Sequence, residues 1–120
     1  MERIKFINYK DHIILMADYS HSSPDEMFDL IELMSSILKD QSPGATLVLE
    51  DVTGVRFNSK VIDKRKLFWS QNKDRVKRTA LVGVEGLLTI AHYDVESDTM
   101  MQLPTFPDLD SAKEWLIHDE

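Results

Sequence analysis

The sequence predicts an α/β fold: a mixed, largely parallel sheet of four to five strands, an antiparallel N-terminal hairpin and four helices. Three observations predict it. The apolar run Thr46–Glu50, bounded by turn residues, reads as a central strand covered on both faces. Strand-like and helix-like segments follow the order β-β-α-β-α-β-α-β-α, the signature of a layered α/β chain. The 120 residues, 42% hydrophobic and 29% charged, suit a single domain over 1–120 with no repeat or linker.

The first seventeen residues read as a hairpin at the sheet edge. Ile4 and Phe6 alternate with polar residues, Lys10-Asp11 supply the turn, and Ile13–Ala17 form the second strand. Helix one begins at Ser23-Pro24-Asp25-Glu26, a capping box in which each side chain satisfies a backbone N–H. Met27, Leu30, Ile31, Met34, Ile37 and Leu38 then repeat at helical spacing, while Asp25, Asp29 and Glu32 leave the other side acidic. Ser42-Pro43-Gly44 leads into the central strand, which ends at Asp51 before a turn at Thr53-Gly54.

Helix two is expected from Lys60 to Lys73, capped by Asn58 or Ser59. Val61, Ile62, Phe68 and Trp69 share one face, and Arg65 falls in the middle of it. A buried unpaired guanidinium is costly. Arg65 therefore either snorkels to water, pairs with Glu50 or Asp51, or lines a cleft and meets an anionic ligand. Thr79–Val84 reads as the next buried strand and Gly83-Val84-Glu85-Gly86 as a tight turn, where N–H groups could also face an anion. Leu87–Tyr93 reads as a short third helix, Glu96-Ser97-Asp98 as a loop, and Thr99–Phe106 as a last edge strand that tolerates Pro104. Asp108 caps a final helix, docked through Ala112, Trp115 and Leu116.

Composition narrows the chemistry. Without cysteine there is no disulfide scaffold, thiol catalysis or thiolate metal site. No apolar run approaches the ~20 residues of a membrane span. MERIKF shows no signal-peptide pattern, so a cytoplasmic location is expected. His12, His21, His92 and His118 lack metal-ligand spacing, no nucleophile elbow is present, and no cofactor is expected.

The net charge of −7 is unevenly placed: Arg56–Arg78 holds nine of fourteen basic residues against two acidic ones, so this segment carries +7 and the remainder −14. Such separation implies that helix two faces something anionic. Nucleic acid is not expected there, because Phe68 and Trp69, the aromatics available for stacking, face the core.

The stretch Leu49-Glu50-Asp51-Val52-Thr53-Gly54-Val55-Arg56-Phe57-Asn58-Ser59 resembles the strand-turn-helix of STAS domains, the anti-sigma-factor-antagonist fold. Asn72, the run Val76–Leu87, Phe106 and Ala112-Lys113-Glu114-Trp115-Leu116 are similar to small stand-alone SpoIIAA-like (STAS/SEC14-type) proteins. The resemblance implies a non-catalytic protein with protein partners or a small apolar ligand. It also implies that Ser59 matches a serine phosphorylated in the antagonist branch. Lys60-Val61-Ile62 departs from that branch, which has a second serine and a glycine-leucine-glycine there.

Three functions follow as expectations. The first is a regulatory or interaction module working through segment 47–73, with a protein partner or by pairing acidic helix one with basic helix two of another copy. Its binding residues are Asp51, Asn58, Ser59, Lys60, Arg65 and Trp69. The second is a carrier or sensor of a small apolar or anionic, lipid-like molecule held near Arg65, Trp69, Leu87 and Ile90. The third is a small enzyme using Asp51, Ser59 and Arg65, for which no reaction is legible.

Overall fold

A computed structural model describes residues 2–118. Its strands are β1 (Ile4–Tyr9), β2 (His12–Asp18), β3 (Thr46–Asp51), β4 (Val76–Val82) and β5 (Thr105–Phe106). Its helices are α1 (Pro24–Lys39), α2 (Ser59–Asn72), α3 (Leu88–Thr99) and α4 (Leu109–Ile117). The strands form one sheet in the order β1-β2-β3-β4-β5. β1 and β2 are antiparallel; all later neighbours are parallel.

Sequential order and a constant crossover hand place α1, α2 and α3 on one face. There Leu15, Val48 and Leu81 of the sheet pack with Met27 and Ile31 of α1, Phe68 and Trp69 of α2, and Val95 of α3. The opposite face is covered by α4 alone, through Ala112 and Leu116 against Ile14, Leu47, Leu49, Ala80 and Val82. β3 lies between these layers and is buried from Thr46 to Glu50, as its uninterrupted apolar pattern requires.

Local signals set several boundaries. Lys10 and Asp11 both adopt left-handed backbone (φ 48° and 67°), which a two-residue hairpin turn demands. At α1, Ser23 Oγ accepts from the Glu26 N–H and the Glu26 carboxylate accepts from the Ser23 N–H, closing the capping box. Asn58 Oδ1 accepts from the Val61 N–H at 3.0 Å, so Asn58 is the cap of α2 and Ser59 is its first helical residue.

The structure corrects the expected C-terminal half. β4 starts at Val76, earlier than Thr79, because a register shift at Thr46/Leu47 lets Val76 pair with Thr46. It ends at Val82, since Gly83 takes a left-handed φ of 92°. Helix α3 continues to Thr99 through Glu96, Ser97 and Asp98, the residues expected as a loop. Ala91, Val95 and Thr99 recur every four residues and are buried, so the polar triplet merely occupies the outer side. The last strand is therefore only Thr105–Phe106, with Pro104 just before it accepting the Leu81 N–H through its carbonyl. Trp115 docks less deeply than expected: it is 37% exposed and lies against Phe106, with the Arg78 guanidinium over its ring.

Candidate functional site

The carboxyl ends of β2, β3 and β4 form a platform from which α1, α2 and α3 depart, the usual place for binding in open α/β sheets. Main-chain hydrogen bonds join its loops. The Tyr19 N–H donates to the Asp51 carbonyl at 2.9 Å and the His21 N–H to the Thr53 carbonyl at 2.8 Å. The Val52 N–H donates to the Val82 carbonyl at 2.8 Å and the Arg56 N–H to the Ser22 carbonyl at 3.0 Å. Asp18 and Asp51 are register partners, and each makes the same local turn. Asp18 Oδ1 accepts from the N–H and hydroxyl of Ser20; Asp51 Oδ1 accepts from those of Thr53. A Cβ at Gly83 would lie 2.3 Å from Thr53 Oγ1, so the glycine turn is built for close loop packing. Arg3 ties the β2–α1 loop from below, donating to Ser22 Oγ and the Ser20 carbonyl.

Arg65 lies inside this frame. It is 8% exposed and its two terminal nitrogens donate to the Glu50 carboxylate at 3.2 and 3.1 Å. Strand alternation decides the partner: Glu50 shares with Val48 the face covered by α1, α2 and α3, while Asp51 points the other way. Burial by itself lowers the Arg65 pKa, but the fully buried Glu50 carboxylate outweighs it and holds the guanidinium above its ordinary value. The guanidinium also lies 5.9 Å from the Tyr19 ring centroid. Burial, and then the Glu50 charge, push the Tyr19 hydroxyl well above its ordinary pKa, so it stays neutral.

The expected site residues therefore separate. Asp51 closes its own turn, Arg65 is an internal ion pair, and Trp69 is fully buried edge-on to Phe68. Asn58, Ser59 and Lys60 are exposed at the start of α2. The Ser59 hydroxyl makes no hydrogen bond among the described residues.

Much of the anionic surface implied by the basic segment is supplied by the chain itself. Lys64 pairs with Glu32 of α1, and Lys66 with Asp94 of α3 at 3.0 Å. Lys73, Arg75 and Arg78 donate to the carbonyls of Thr99, Gln41 and Trp115 respectively. One ion pair between the acidic helix and the basic one, Glu32 with Lys64, thus lies within a single copy.

Three spaces adjoin the platform. An interior cavity of about 30 Å³ lies between α2, α3 and the sheet, with Arg65 and His92 among apolar walls including Val61, Leu81 and Val95. It has room for one or two waters. Above it, a groove of about 460 Å³ opens between Thr53, Phe57, Gly83, Glu85 and Leu87. A shallower groove of about 260 Å³ runs between α2 and α3 along Phe57, Ile62, Leu87 and Ile90. The single pocket expected near Arg65, Trp69, Leu87 and Ile90 is divided: Arg65 lines the interior, while Leu87 and Ile90 are 76% and 68% exposed outside it. No cluster of three or more His, Cys, Asp or Glu able to hold a metal occurs among the described residues. No helix among them is long and apolar enough to cross a membrane.

Sequence reasoning placed Leu87 and Ile90 in a pocket; the structure puts them, with Tyr93, on the outer face of α3, exposed by 76%, 68% and 70%. Their spacing of three was the available signal.

This architecture is the SpoIIAA-like fold. One similar solved structure is an uncharacterized DUF3478-family protein with a SpoIIAA-like fold from Shewanella loihica PV-4. The match has a TM-score of 0.72 at 18% identity and covers 94% of this chain and 91% of that one. Another is an anti-sigma-factor antagonist (STAS) domain protein from Planctomyces limnophilus, with a TM-score of 0.65 at 17% identity, covering 96% and 98%. No family model and no curated protein matches the sequence.

Proposed function

We propose that the protein is a non-catalytic regulatory or interaction module of the cytoplasm, working on a protein partner through segment 47–73. The observation that carries this reading is the division of labour at the start of α2. Asn58 takes the capping role, which leaves the exposed Ser59 hydroxyl and Lys60 to face a partner. The adjoining Phe57 continues into the apolar groove along α3. The STAS neighbour supports a regulatory reading by analogy of fold. A phosphate on Ser59 would sit at the positive end of the α2 dipole, beside Lys60.

The test compares Ser59→Asp with Ser59→Ala in cross-linking to host-cell extract. Under this reading both keep the wild-type melting temperature, while only Ser59→Asp loses the captured partner. Unchanged capture by Ser59→Asp removes the switch.

A second reading, a binding protein for a small ligand, draws on the 460 Å³ groove. Glu85 is its ionisable wall residue, which favours a neutral apolar molecule over an anionic one. Native mass spectrometry of gently purified protein decides: an extra few hundred daltons lost on denaturation supports it, and a clean apo mass counts against it. Nucleic acid is disfavoured because Phe68 and Trp69 are buried.

A further inference from the structure

We infer that the free edge of β1 is a self-pairing surface, on which β1 of a second copy adds antiparallel and joins the two five-stranded sheets into one. This surface lies apart from segment 47–73 and goes beyond the reading given to that segment. The two edges of the sheet are unlike. β5 is two residues long and is followed at once by α4, whereas β1 presents six residues with no proline and no bulge. An unblunted edge of that length is a template for another strand. The hairpin fixes which groups it offers. The Asp18 N–H donates to the Arg3 carbonyl at 2.8 Å. Antiparallel alternation then turns the peptide groups of Lys5, Ile7 and Tyr9 towards β2, and those of Ile4, Phe6 and Asn8 outward. Apolar surface coincides with this edge. Phe6 lies opposite Leu15 and Asn8 opposite Ile13, on the sheet face that carries α1. There Phe6 is 47% and Ile13 56% exposed. Leu33, on the flank of α1 opposite its Ser35–Asn72 contact with α2, is 47% exposed as well.

The sequence of β1 selects a second copy as the occupant. With Phe6 of both copies on a two-fold axis, Ile4 of each faces Asn8 of the other. All three outward N–H groups and all three outward carbonyls of each strand then find partners. Phe6 packs on Phe6, and Lys5 lies opposite Ile7 rather than opposite itself. An axis at Lys5 would set the two lysines face to face, and an axis at Ile7 would leave Ile4 facing the turn residue Lys10. Continued past both ends, the register centred on Phe6 brings Glu2 of one copy to Lys10 of the other, a second carboxylate for a lysine already on Glu114. The contact is isologous and closes on itself, and the short β5 edge offers no template for further growth.

Sedimentation of the full chain over a range of concentration and salt tests the inference, with single-cysteine variants that the cysteine-free chain makes unambiguous. The expected result is a monomer–dimer equilibrium that persists at high salt, since main-chain bonds and apolar packing hold it. Phe6→Lys sets two like charges against each other on the axis and raises the dissociation constant by about tenfold or more. Under mild oxidation Phe6→Cys cross-links to itself, while Asn8→Cys, which faces Ile4, does not. The melting temperature of dilute protein is read alongside; if Phe6→Lys unfolds, the two cysteine variants decide. A wild-type chain that stays monomeric overturns the inference, as does a dimer indifferent to Phe6→Lys, or one that cross-links through Asn8→Cys and not through Phe6→Cys. An edge that takes up only an extended segment of some other protein gives the monomeric result. None of these outcomes bears on the Ser59 comparison, which stands or falls separately.

Discussion

Helices α2 and α3 lie side by side on one face of the sheet, and they are held there by different means. α2 is the more polar, yet it buries Val61, Arg65, Phe68, Trp69 and Asn72, carries an Asn58 cap, and is tied by charge to β3, α1 and α3. α3 buries only Ala91, Val95 and Thr99, begins at Leu87 without a side-chain cap, and turns its large apolar side chains to solvent. Polarity along a helix is thus a poor guide to which side does the holding. In α2 the paired charges Lys64, Arg65 and Lys66 hold the helix in place; in α3 large apolar side chains stay exposed.

The largest break in this contrast is Arg65→Met. It strands the fully buried Glu50 carboxylate, and a loss of about 3–5 kcal/mol is expected in urea unfolding. Adding Glu50→Gln should recover most of that loss, because the uncompensated charge rather than the missing contact dominates the cost. An Arg65→Met protein of unchanged stability would return Arg65 to the list of ligand-binding residues.

Asn58→Ala removes the α2 cap and should cost about 1 kcal/mol, read in the same unfolding curves. α3 has no equivalent side-chain cap to lose. Native-state hydrogen exchange sharpens the point: amides of α3 should open at lower free energy than those of α2, because fewer buried groups hold them.

Acid gives a smaller effect. The Ser23 N–H, and then its hydroxyl, hold the Glu26 carboxyl below its ordinary pKa. The Ser111 N–H does the same for Asp108. Groups depressed on folding stabilise fully above their unfolded pKa and lose that contribution as pH falls through the folded value. The melting temperature should therefore fall on acidification through and below the ordinary carboxylate range. Ser23→Ala should lower it at neutral pH, with the gap to wild type narrowing in acid. Smallest of all, Ile90→Glu should change stability by no more than about 0.5 kcal/mol, since the site is surface.

Legibility in the sequence followed the same division. The capping box at Ser23 and Glu26, the buried β3 run and the Lys10-Asp11 turn rest on neighbours within a few residues, and all three are found in the structure. Arg65 was readable as an anomaly, and Glu50 as one of two partners, because a charge in an apolar stripe must be answered. That its terminal nitrogens meet Glu50, with Asp51 engaged by Thr53, depends on strand alternation and loop geometry. The extent of α3 was hidden: Glu96-Ser97-Asp98 looks like a loop unless Val95 and Thr99 are known to face the core. Likewise, the partners of Lys64 and Lys66 come from α1 and α3, which only the tertiary fold brings beside α2.

The ladder of main-chain hydrogen bonds across the platform has an evolutionary consequence. Tyr19 to Asp51, His21 to Thr53 and Arg56 to Ser22 are joined through peptide groups, which every residue except proline can supply on the donor side. Side chains at this end of the molecule can therefore change without breaking the bonds that hold its outline. Two solved structures share this outline at 17–18% identity, so most side chains of the fold can differ while its shape stays.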